Sequence, residues 1–288
     1  MKEHKFELLF AILVGARAFS FVFNKILLTG GMGVMNLTAI RFLFSTVLLV
    51  ILFPKRMLRM NRATLLAGAA IGISFFIMIW VELSATKIAD VSLVSTVEHA
   101  SIILVPVINS LLTRKAPTRT TVIGALLAFL GIVSLGLKNG AMSGSIWLSL
   151  LAALLYAAVI IITDRVTTEK TDAIAVGVVQ LGTIGILALV FSLLTEHFKM
   201  PRGSSEWLMM IFLIIVCTAF GFSLTPYAQS RIPVDRAGII CAVNPAVAAL
   251  LGVIILHENM GFLGTAGLVL ILLSIVLPYL PSGRKTDS

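Results

Sequence analysis

Residues 124–133 read GALLAFLGIV, and residues 267–276, 143 positions later, read GLVLILLSIV. The two decapeptides share Gly, Leu, Leu, Ile and Val in register. Both are continuously apolar. That excludes an alternating barrel strand and describes a helix that satisfies its own backbone inside a bilayer. The likeness extends outward in both directions. Arg17-Ala18 falls on Tyr156-Ala157 and Arg41 on Gln180, each 139 residues on. Thr86-Lys87-Ile88 falls on Ser230-Arg231-Ile232 at 144, and Val97 to Ala100 on Val243 to Ala246 at 146. Five matches in one order describe an internal duplication.

Composition agrees with a membrane setting. Among 288 residues 59% are hydrophobic, and there are only 22 basic and 13 acidic side chains. The mean hydropathy is +1.07. A soluble domain carries about 25% charged residues, against 12% here. Disordered, collagen-like and disulfide-scaffold classes are excluded as well, since the cysteines are Cys217 and Cys241 alone.

A span needs roughly 20 apolar residues. Ten such runs are predicted, at 7–28, 35–53, 63–83, 90–112, 119–137, 145–163, 173–194, 206–228, 237–256 and 261–280. The expected fold is therefore all-α: a polytopic membrane protein of ten transmembrane helices in two five-helix repeats, residues 1–140 and 141–288. Five is odd, so the second repeat enters the membrane inverted. Inverted repeats are characteristic of secondary transporters, which bind substrate near the midplane.

Lys and Arg set the orientation. With the N-terminus inside, 15 basic residues fall on inner segments, from Lys2 and Lys5 to Arg284 and Lys285. Only Lys87, Lys138, Lys199 and Arg202 fall on outer ones. Both termini are expected in the cytoplasm, with the chain in the cell membrane. The net charge of +9 is then topological, and no nucleic-acid partner is implied. Lys2, Lys5 and Ala16-Arg17-Ala18 imitate a cleaved signal, but the apolar run continues to Leu28 and reads as a retained span.

Ionisable residues inside spans are costly and turn inward. Arg17 is roughly 15 Å deep in span 1, and Glu98 roughly 12 Å deep in span 4, at 1.5 Å per residue. They are expected to face one another or share a wet cavity. Lys25 and Arg41 sit nearer the outer side, with Glu82 at the end of span 3. Arg17–Glu98 and Arg41–Glu82 read equally as structural ion pairs between helices. Arg17, Ser20 and Asn24 share one face of span 1, and Ser92, Ser95, Thr96 and His99 one face of span 4. Tyr156, deep in span 6, is the repeat counterpart of Arg17. Gln180 and Asn244, counterparts of Arg41 and Glu98, complete the expected substrate set. These groups suit a zwitterionic or anionic small molecule, its carboxylate on a cation and its ammonium on Glu98. Glu98 and His99 are the candidates to carry a coupling proton.

The pattern resembles the ten-span drug/metabolite transporter superfamily in its EamA-type branch. Phe21 to Lys25, Arg41-Phe42, Leu83 to Lys87, Gln180, Asn244-Pro245, Leu256-His257-Glu258, Gly264 and Gly267 carry the resemblance. It implies inward termini, a central cavity and export or exchange of small metabolites such as amino acids. Arg17-Ala18 stands where that family usually has Trp-Gly, and His99 where its fourth span often has Pro.

Pro106, Pro226 and Pro245 are expected to kink their spans. Gly68 and Gly72, and the series Gly261, Gly264 and Gly267, are expected at close helix contacts. Trp80, Trp147, Trp207, Tyr227 and Tyr279 fit an interfacial aromatic belt. No phosphate loop, metal motif or catalytic set is present, so neither cofactor, metal nor enzymatic activity is expected. The expected function is alternating-access export of an amino-acid-like metabolite, coupled to a proton or ion gradient, by a monomer or homodimer. The runner-up is a cationic-drug exporter, and behind it an intramembrane enzyme.

Overall fold

The computed structural model describes residues 2–114, 116–138, 144–229, 231–232 and 234–277. Every regular element among them is a helix. Span 1 is Lys2–Thr29, span 2 Val34–Leu52, span 3 Arg62–Ile88, and span 4 Val91–His99 with Ser101–Thr113. Span 5 is Arg119–Lys138, span 6 Gly144–Val166 and span 7 Ala173–Thr195. Span 8 joins Ser204–Phe212, a π-helical Leu213–Phe220 and Gly221–Gln229. Span 9 is Val234–Cys241 with Val243–Leu256, and span 10 is Gly261–Val276. A short helix, Pro54–Leu58, follows span 2. Among the described residues eight helices are long and apolar enough to cross a bilayer, and spans 8 and 10 supply the shorter apolar ones. Lys115, the 140/141 junction, the end of span 10 with Tyr279, and Arg284 and Lys285 lie outside the described residues. So do the side chains of Pro226 and Tyr227.

The apolar character of each span leaves large side chains on the outside. Leu66, Phe129, Ile254 and Phe262 are among the exposed ones, and Trp80 and Trp147 are exposed too. Such a surface suits lipid. We call the end at which spans 1, 3, 5, 7 and 9 begin the near face, and the other end the far face.

The inverted duplication is visible in the packing. Span 2 lies against span 7, span 4 against span 9, and span 5 against span 10. Three further contacts come in related pairs: 3 with 6 as 8 with 1, 3 with 7 as 8 with 2, and 1 with 9 as 6 with 4. Glycines set the closest of these. A Cβ on Gly68 would stand 2.6 Å from Val179 Cβ, and one on Gly72 2.6 Å from Thr183 Cβ. Gly131 and Gly267 meet backbone to backbone: a Cβ on either would lie 2.7–2.8 Å from the other's carbonyl. Gly261 differs from the expectation. It has φ +57° with open space around it, so it serves the turn into span 10 and not helix packing.

The interruptions of spans 4 and 9 fall at Ala100 and Ala242. There φ/ψ are −61°/−16° and −66°/−15°, and each N–H bonds three residues back, to Val97 O and Ile239 O, both at 3.1 Å. The helix Ser101–Thr113 runs through Pro106; the break precedes it by six residues. Pro245 occupies the first turn of Val243–Leu256, where a helix N–H has no partner to lose. These paired breaks put the two spans in register at 142 residues, not at the 146 read from sequence.

Span 3 extends five residues past its expected end at 83. Its late hydroxyls fold back onto the helix, Ser84 Oγ to Trp80 O at 2.7 Å and Thr86 Oγ1 to Glu82 O at 2.8 Å. Glu82 therefore stands inside the bundle.

Candidate functional site

Arg41, 7% exposed on span 2, organises the interior. Its Nε donates to Thr218 Oγ1 at 2.6 Å and its Nη1 to Ser20 Oγ at 3.1 Å. Its guanidinium also stands 5.3 Å from the centroid of the Phe42 ring. Thr218 is aimed by the π-helical turn: its hydroxyl donates to Leu213 O, five residues back, at 2.7 Å. That spacing belongs to a π-helix, an element often found at functional sites. Ser45 Oγ, 2.9 Å from Ile214 O, ties the same turn to span 2.

Arg17 enters from span 1. Its guanidinium lies 5.8 Å from the Phe222 ring centroid and interacts with the Tyr156 hydroxyl. The two repeat counterparts thus meet across the symmetry axis. A buried arginine needs such partners, because desolvating its charge without them is costly.

Both arginines border one small void of about 30 Å³. Spans 1 and 2 contribute Arg17, Ser20, Phe21, Arg41 and Phe42; span 3 contributes Phe75, Met78, Ile79 and Glu82. Glu98, Tyr156 and Phe222 complete the wall from spans 4, 6 and 8. Glu98 is 4% exposed, and its Oε2 has no hydrogen-bond partner. Arg17 and Glu98 share this cavity, as Arg41 and Glu82 do. Two cations and two carboxylates thus border one void, which as it stands has room for water.

Five expected residues converge here: Arg17, Ser20, Arg41, Glu98 and Tyr156. Asn24 supports the wall from one turn away, its Nδ2 donating to Ser20 Oγ at 3.3 Å. Its Oδ1 is buried without a partner. The others stand elsewhere. Lys25 Nζ donates to Lys87 O and Ala89 O, at 3.1 and 2.9 Å, where span 3 ends. Ser95 Oγ bonds Ser92 O at 3.4 Å. His99 Nδ1 lies 2.7 Å from Ser95 O, with its ring centroid 6.3 Å from that of Phe21. Gln180 and Asn244 are buried but do not border this void.

The sequence reading paired Glu82 with Arg41 but left it out of the expected substrate set, because it sits at the last turn of the predicted span. The rule that an in-span charge turns inward was enough to find it. Thr218 and Phe222 carried no such signal, being ordinary members of an apolar run.

Known proteins agree with this architecture. A solved crystal structure superposes with a TM-score of 0.60 at 22% identity, over 93% of this chain and 96% of the other. That likeness concerns the fold. In sequence, an uncharacterized transporter of Haemophilus influenzae is 28% identical over 145 residues, 47% of this chain and 84% of that protein. The model of the EamA-like transporter family matches twice, at residues 5–137 and again at 142–280. Matched along nearly its whole length by that model, the chain belongs to the EamA-like transporter family.

Proposed function

We propose that this transporter is a secondary carrier for a small zwitterionic or anionic metabolite of amino-acid type, moved outward across the cell membrane by alternating access. The observation that carries the reading is the cavity with Arg17 and Arg41 on one side of its charge balance and Glu82 and Glu98 on the other. A substrate carboxylate docks on the arginines and its ammonium on the carboxylates. Phe21, Phe75 and Phe222 then supply an apolar wall for the remainder. The inverted repeat supports a rocking of the two halves about this midplane site. The excess of Lys and Arg on near-face segments supports cytoplasmic termini.

Glu98 is also the candidate carrier of a coupling proton, since its free oxygen borders the cavity. His99, bonded to its own helix and packed beside Phe21, takes the second place in that role.

The test is a melting screen of the purified protein against amino acids, organic acids, nucleosides and cationic dyes. A true substrate at 100 times its Kd adds about 2.7 kcal/mol of stability. Amino acids should raise the melting temperature of the parent and fail to do so in Arg41→Gln. Stabilisation by cationic dyes alone would replace this reading with the drug-export one. In proteoliposomes Glu98→Gln should abolish the pH dependence of transport; unchanged pH dependence would remove the proton from Glu98.

A further inference from the structure

Among the helices that begin on the far face without a capping side chain of their own are spans 2 and 4. Span 2 starts after Gly33, and span 4 after Asp90, whose side chain makes no capping bond. A carboxylate from the other half caps each instead. Glu196, just past span 7, accepts from Met35 N at 3.2 Å and Asn36 N at 2.9 Å. Glu258, just past span 9, accepts from Val91 N at 2.5 Å and Ser92 N at 3.0 Å. Helix N-termini attract negative charge, and charge-assisted bonds of this kind are the stronger ones.

The backbone is built to admit both carboxylates. A Cβ on Gly33 would stand 2.0 Å from Glu196 Oε2, and one on Gly252 2.6 Å from Glu258 Oε2. His257 turns left-handed at φ 55°, and Glu258 N then bonds back to Gly252 O at 3.1 Å. That C-terminal turn aims the carboxylate at span 4. From span 1, Lys25 grips the end of span 3 through Lys87 O and Ala89 O. The turn between spans 3 and 4 is thus held on both sides by opposite charges.

The near face is built otherwise. Spans 3 and 7 are capped by their own Asn61 and Asp172. Contacts between the halves there include Arg56–Asp172, with side chains 49% and 36% exposed, and Arg236–Glu7, at 46% and 19%. Exposed pairs of this kind contribute little. Arg114 ends span 4 as His257 ends span 9, left-handed at the same φ of 55°. The residue after Arg114 is Lys115, whereas the one after His257 is Glu258. A lysine has no acceptor with which to cap a helix start.

We infer that Glu196 and Glu258 are latches that hold the far face shut between the two halves, so that the carrier at rest opens toward the near face. Each transport cycle must release both. The inference rests on the alternating-access reading for its place in the cycle, but its first test needs no substrate.

The first test places a single cysteine at Ser20, on the cavity wall, with Cys217 and Cys241 replaced by alanine. A membrane-impermeant maleimide is applied from each side, the far face being identified by labelling of Lys199→Cys. The cavity cysteine should react from the near face and be protected from the far one. In Glu196→Ala/Glu258→Ala the far-face rate should rise at least about tenfold, since each variant loses charged hydrogen bonds. An unchanged rate in a monodisperse double variant overturns the latches.

Should the double variant not fold, a Val91→Cys/Glu258→Cys cross-link serves in its place. It should stop transport until reduced, and transport with the link intact overturns the inference. A cavity that labels as expected in a protein that moves none of the screened solutes would instead count against the carrier reading alone.

Discussion

Arg41 shows how one buried cation is kept in place. It has hydroxyl partners on two other spans, Thr218 and Ser20, and the first exists only because the π-helical turn brings that hydroxyl round. Thr218→Val keeps the shape and deletes the acceptor. A hydrogen bond to a charged group is worth about 1.5–3 kcal/mol, and the variant should lose stability of that order. Thr218→Ser should recover it, which separates the bond from any effect on the helix. Thermal melts of the three purified proteins decide the matter, and a valine variant that melts with the parent removes Thr218 from the site. Part of this site was legible beforehand. Arg17 and Glu98 announced themselves as charges at midplane depth, expected to share a cavity, and the repeat match with Arg17 singled out Tyr156 as a candidate for the same wall. The hydroxyl of Thr218 was not legible, because helix type inside an apolar run depends on what packs against it.

Among the elements, the starts of spans 2 and 7 make an instructive pair. These helices pack together and are repeat counterparts, yet one starts at Gly33 and borrows its cap while the other carries Asp172. The Asp172 carboxylate accepts from Ile174 N at 3.0 Å and Ala175 N at 3.1 Å, and Arg56 Nη1 lies 2.7 Å away. Slight burial alone would raise its pKa, but the backbone N–H groups and the guanidinium together hold it below the usual carboxylate value. A depressed folded value contributes stability that is complete above the unfolded pKa of about 3.9 and is lost as pH falls through the folded one. Asp172→Ala should therefore cost about 1 kcal/mol at pH 7. The gap between variant and parent should narrow once the pH is taken below that window; a gap of constant size would mean that the charge is irrelevant. Asp172 before an apolar run is readable as a cap from sequence. The borrowed caps and the breaks at Ala100 and Ala242 are not, since they arise from a second half folding back onto the first.

At the scale of the molecule, an odd number of spans per repeat sufficed to expect inversion, and the paired packing of 2 with 7, 4 with 9 and 5 with 10 follows from an axis between the halves. Which spans meet was not legible, because a lipid-facing stripe and a helix-facing stripe are both apolar. Where no polar stripe marks the inward face, glycines betray the difference, as Gly68 and Gly72 do toward span 7. Sidedness is argued from charge instead. Inverting one half leaves its helices equally apolar, so nothing in the core distinguishes the two faces of the bundle; the basic loops must do so. Lys170 lies in the near-face turn between spans 6 and 7, and Lys199 in the far-face connection between spans 7 and 8. Both are exposed. With cysteine at each position in turn, an impermeant maleimide added to intact cells should modify Lys199→Cys and spare Lys170→Cys. Inside-out vesicles should give the opposite pattern. Labelling of Lys170→Cys in intact cells would place the basic loops outside, and it would turn the direction in which the resting cavity faces along with them.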